Sequence, residues 1–171
     1  MGDRKQLGIL VELNDCVLLV VRSTLDHLVP SRSIRDDQLK LLCLTLDLPF
    51  HFADIKIESN FDLKSCLQVV AQLNLDGRRS RLLIAGSNLE DVVTFETLEA
   101  LAHGFEVFLL ADLIEVLNPS IAPLHWDRLI QAGAVPTSIS QILAEWSIAS
   151  SDETAGIKIR TCQDIFRTIQ S

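Results

Sequence analysis

Four thiols, Cys16, Cys43, Cys66 and Cys162, are the strongest nucleophiles in this 171-residue chain, and none stands in a CxxC pair. Isolated thiols of a reducing compartment are mostly small buried hydrophobes rather than metal ligands or attacking groups. His27, His51, His103 and His125 are equally scattered. No HxxxH or Asp-x-His cluster supports a zinc or iron site, so no metal and no other cofactor is expected. Neither a G-x-G-x-x-G stretch nor a P-loop occurs, which removes the nucleotide fingerprints. Polar side chains fall instead in three short segments that each follow an apolar run: residues 12–15 (Glu-Leu-Asn-Asp), 55–58 (Ile-Lys-Ile-Glu) and 86–89 (Gly-Ser-Asn-Leu). Ser87 and Asn88 are therefore candidate binding groups. Thr94 lies near the same helix start, but a hydroxyl nucleophile there needs an adjacent general base that the sequence does not identify.

Those segments require elements to hold them. Residues 7–11 form a short continuous apolar run, as a strand buried on both faces should. Residues 36–46 suit a buried helix, and residues 48–53 a second strand with Pro49 confined to its first positions. Asn60-Phe61-Asp62 can open a helix that Asp76-Gly77 ends. Residues 81–86 read as a strand, 89–103 as a helix closed by Gly104, and 105–110 as a fourth strand. A helix over 120–132 ends at Gly133, and 134–138 is a short strand into a helix over 139–147. Residues 148–157 look like a linker before a terminal helix over 161–169. This alternation predicts right-handed crossovers and a three-layer α/β/α sandwich with a mainly parallel, Rossmann-like sheet. Residues 1–148 would form that domain, and 149–171 a linker and helix packed on it or on a partner subunit. Sites in such sheets form outside the carboxyl ends of the strands, where the three polar segments fall.

Composition narrows the partners. Lys+Arg number 15 against Asp+Glu 23, a net charge of −8, which repels phosphate backbones and argues against nucleic acid. The run Cys16–Val21 is far too short to span a bilayer, and the N-terminal stretch reads neither as a myristoylation signal nor as a secretory one. A cytoplasmic protein that avoids the membrane is expected. The mean hydropathy of +0.28 is high for a monomer, so a homo-oligomer is expected, with contacts along the last helices around Trp126, Leu129 and Trp146.

Residues 104–112 (Gly-Phe-Glu-Val-Phe-Leu-Leu-Ala-Asp), then 126–135 (Trp-Asp-Arg-Leu-Ile-Gln-Ala-Gly-Ala-Val), resemble the isochorismatase-like cysteine hydrolases, nearest the nicotinamidase-related branch. The strand at 81–86 and the tail from Thr137-Ser138 through Leu143-Ala144-Glu145-Trp146 extend the resemblance. That family carries an Asp at the end of the first strand, a Lys after a middle strand, and a Cys at the start of the helix after the Ala-Gly strand. The thiolate attacks, the carboxylate moves its proton, and the cation lowers the thiol pKa, with the helix N-terminus aiding an oxyanion.

Placed on this chain, the resemblance puts Glu12 at the acid position, Lys56 at the cation position and Val92 at the nucleophile position. Glutamate reaches farther than aspartate, a misplacement that can cost about 100-fold in rate. Valine has no nucleophilic atom. Leu89 replaces the usual Thr of the turn before the nucleophile, and the wall between Pro49 and Lys56 is short. The expectation is an inactive isochorismatase-like domain kept for binding or assembly, with a small acidic metabolite as the ligand class. The alternative is a hydrolase of a small amide, imide or vinyl ether by a non-cysteine mechanism.

Overall fold

The computed structural model describes residues 13–23, 30–55, 80–86 and 89–170. A 3-10 turn, Leu13–Asp15, leads into β1, Cys16–Ser23. Helix α1, Pro30–Leu46, and strand β2, Phe50–Ile55, follow. Strand β3 is Arg81–Gly86; a π-helical turn, Leu89–Val93, then feeds α2, Thr94–Ala102. Strand β4 is Glu106–Ile114, α3 Ala122–Ala132 and β5 Val135–Thr137. Two helices complete the order, α4, Ile139–Ala149, and α5, Glu153–Gln170.

All described strand pairs are parallel, in the order β2-β1-β3-β4-β5. Because side chains alternate along a strand, β1 splits its apolar run between two cores. Cys16, Leu18 and Val20 face α1, α4 and α5, where they meet Leu42, Cys43, Ile142, Trp146, Ile159, Cys162 and Phe166. Val17, Leu19 and Val21 face the π-helical turn, α2 and α3, and share a cluster with Leu82, Ile84, Leu89, Val92, Val93 and Leu129. Helices on both faces of a parallel sheet give the expected three-layer α/β/α architecture. No described helix is long and apolar enough to cross a membrane.

Several elements differ from the reading above. The strand between β2 and β3 is Cys16–Ser23, whose apolar run Cys16–Val21 sequence reasoning weighed only as a membrane span. Residues 7–11 and the helix opening at Asn60 lie outside the described residues. Residues 153–157, read as linker, belong to α5: Asp152 accepts the N–H groups of Thr154 at 3.2 Å and Ala155 at 3.3 Å and so starts the helix earlier. Strand β4 outruns its expected end because its ladder breaks: Ile84 lies opposite Leu109 but Gly86 opposite Ile114, so residues 110–113 bulge against Ala85. The bulge turns Asp112 toward α4, whose first N–H, on Ile139, donates to both carboxylate oxygens at 3.1 and 3.2 Å.

Charged pairs fasten the amino ends of the strands. Arg81 Nε donates to Glu106 Oε2 at 2.9 Å, and its Nη1 lies 3.5 Å from Asp15 Oδ2. Lys158 of α5 reaches Asp47, in the turn before β2, at 2.7 Å.

The opposite, carboxyl end is fixed by main chain. Gly86 has φ +132, and a Cβ there would fall on the carbonyl of Val21 in β1. Gly86→Ala therefore combines left-handed strain with overlap against backbone that cannot move aside, and is expected to cost more than about 3 kcal/mol. Urea unfolding followed by circular dichroism measures this; a loss under about 1 kcal/mol would show that the strands separate freely there.

Candidate functional site

Strand order places a crevice. From β1 the chain passes to β2 on one side, then crosses to β3 on the other, so connections diverge at the carboxyl ends of β1 and β3. Four described features border this point: Arg22 near the end of β1, Gly86, the π-helical turn and the exit of β4. The last two are stitched together, since Glu115 N–H donates to the Gly86 carbonyl at 3.0 Å and Leu89 N–H to the Glu115 carbonyl at 2.9 Å.

The wide π-helical turn rotates both Val92 and Val93 inward, and each is 0% exposed within the apolar cluster on that sheet face. Thr94 explains the geometry: its hydroxyl donates to the Leu89 carbonyl, five residues back, at 2.5 Å, satisfying an acceptor at the widened turn. With that proton committed, the Thr94 oxygen is left to accept from Nδ1–H of His125, 3.4 Å away on α3. His125 then acts as a donor to Thr94 rather than as its base, and Thr94 is 1% exposed. A buried hydroxyl in this arrangement anchors α3 to the turn and is not presented to a substrate.

Glu90 is the other polar anchor. Its carboxylate accepts the N–H groups of Leu117 at 3.1 Å and Asn118 at 2.8 Å. Partial burial raises its pKa, but these bonds and the nearby His125 outweigh it, holding the carboxyl below the ordinary value.

At the end of β1, the Arg22 guanidinium carbon stands 4.7 Å from the centroid of the Phe52 ring, and Lys40 Nζ stands 5.2 Å from the same ring. Two cations thus flank one aromatic face beside the crevice.

Of the sequence-predicted site residues, Glu12, Lys56, Ser87 and Asn88 lie outside the described residues, and Val92 is placed in the core. Residues missed by sequence reasoning are Arg22, Glu90 and His125. Arg22 had a signal, the abrupt charge after the run Cys16–Val21; His125 had none, because 31 residues separate it from its partner Thr94.

The described thiols lie elsewhere. Cys16, Cys43 and Cys162 are thiols buried on the other sheet face. Burial, with Cys162 alongside, pushes the Cys43 thiol up to about 12, and burial raises Cys162 against an opposing hydrogen bond with Thr45. Cys66 lies outside the described residues. Among the described residues, no three His, Cys, Asp or Glu side chains converge to hold a metal. Two adjoining concavities, of about 320 and 220 Å³, open at the amino ends of β1 and β2 around Leu13, Asn14 and Asp152, away from the crevice.

The lowered Glu90 pKa has a definite sign. Its contribution is fully present above the unfolded-state value of about 4.5 and is lost as pH falls through the lower folded value. Protection of the Leu117 and Asn118 amides, taken as exchange relative to the intrinsic rate at each pH, should therefore fall below about pH 4.5 in the native protein. In Glu90→Gln that protection should already be lower at pH 7, with little further change on acidification. Equal acid response in both proteins would remove the carboxylate from this role.

No family model matches the chain. The probable hydrolase YcaC of Escherichia coli strain K12 is 41% identical over 56 residues, which span 33% of this chain and 27% of that relative. The crystal structure of the E. coli YcaC gene product, described as an octameric hydrolase of unknown specificity, matches with TM-score 0.68 at 21% identity over 94% of each chain. YcaC from Pseudomonas aeruginosa, bearing hexane-2,5-diol and covalent acrylamide, matches with TM-score 0.65 at 20% identity, over 94% of this chain and 97% of that one. Pyrazinamidase of Pyrococcus horikoshii, in complex with zinc, matches at TM-score 0.56 and 15% identity over 73% and 99%.

Proposed function

We propose that this chain, which has the isochorismatase-like hydrolase fold of the YcaC structures, performs no cysteine hydrolysis and acts as a binding or assembly module. The observation that carries the reading is Val92, fully buried among apolar side chains at the helix start where the resemblance places the thiol. Cys43 and Cys162 support it too, since burial on the far sheet face raises both thiols.

Assembly is the second part of the reading. The octameric state described for the E. coli YcaC structure, matched over 94% of both chains, supports a homo-oligomer here. Beside the crevice, Arg22 and Lys40 favour a small acidic metabolite over a neutral ligand. A cytoplasmic location belongs to the same reading.

The alternative, hydrolysis without cysteine, draws on the contact between Thr94 and His125, but the committed hydroxyl proton and the burial of Thr94 weigh against it. One series of assays separates the readings. The native protein is expected to leave pyrazinamide and nicotinamide unhydrolysed over hours. Val92→Cys should stay inactive as well, because the new thiol would be buried among apolar side chains. Native activity abolished by iodoacetamide would overturn the reading; activity that survives iodoacetamide but is lost in Thr94→Val would establish the alternative.

A further inference from the structure

The side of α3 turned from the core carries Leu124, Asp127, Arg128 and Gln131, spaced three, four and seven residues from the first. Core-facing Ala122 and Leu129 are buried on the opposite side. Leu124 is 69% exposed, and Leu117 and Ile121, just before the helix, add 62% and 38%. Asp127 and Arg128 are exposed, and neither has an ion-pair partner among the described residues. A carboxylate and a guanidinium thus stand side by side at the middle of an apolar-tipped helix face.

We infer that this face of α3 is a self-docking surface, occupied by α3 of a second copy running antiparallel across a two-fold axis. This rests on the assembly reading above and names its contact. A dyad between positions 127 and 128 sets each Asp127 against Arg128 of the second copy and each Leu124 beside the second copy's Gln131. The pattern is complementary to itself, whereas a foreign partner would need the same two charges in reverse order. It also answers the net charge of −8, which repels copies unless opposite charges meet locally. Leu129 and Trp146, expected as contacts from the sequence, are 0% and 1% exposed and belong to the core; the contact moves to the outer side of the helix.

Charge reversal tests this on the full chain, by light scattering after size exclusion and by sedimentation across concentrations. Asp127→Arg and Arg128→Asp each set like charges across the dyad and should weaken self-association about tenfold or more. The double reversal should restore it, with circular dichroism confirming the native fold in all three. Single reversals that assemble like the native protein would overturn this surface while leaving the assembly reading intact. A double variant as dissociated as the singles would overturn the pairing. A native protein that is monomeric throughout would overturn the assembly reading and this contact with it.

Discussion

At Gly86 the main chain of β3 comes so near the Val21 carbonyl that a side chain has no room. That approach closes the sheet at the point where the connections diverge, and it fixes the departure of β3 toward the π-helical turn. The Gly86 carbonyl then binds Glu115, whose own carbonyl binds Leu89. The exit of β4, the exit of β3 and the turn therefore move as one unit. Whatever the crevice holds, its floor is rigid main chain and its far wall a turn seated by Val92 and Val93.

Within that frame the polar side chains serve cohesion. A π-helical turn is a strained form often kept for function, yet here it delivers valines to a core. The hydroxyl and imidazole beside it, Thr94 and His125, are used to hold α3 against the turn, and Glu90 holds the loop before α3 by its N–H groups. Thr94, His125 and Glu90 each have a structural partner there.

Much of the scaffold was legible. Residues 81–86 read as a strand because four consecutive apolar residues end at a glycine, and they are buried on both faces as such a run must be. Helix ends at Gly104 and Gly133 were equally plain. Strand β1 was not: two runs, 7–11 and 16–21, are both short and continuously apolar, and local pattern does not show which of them pairs with β2 and β3. The start of α5 was obscured by Ser, Asp, Glu and Thr, a group that suits a linker and a helix N-terminus alike until Asp152 is seen capping it. At the candidate site, Val92 was singled out through the resemblance alone, by counting without gaps from Gly86 to Ala100, Gly104 and Phe105. Arg22 was missed because the strand carrying it was misplaced, and His125 because a contact between two helices leaves no local pattern.

Helix α5 completes the face of the sheet that β1 and α1 begin. Ile159, Cys162 and Phe166 fill the same core as Leu18 and Leu42, and Lys158 clasps the turn at Asp47. During synthesis the ribosome releases β1 and α1 long before those residues emerge. That half of the nascent protein must wait with an open apolar face until α5 emerges, and the interval is when a chaperone has most to shield.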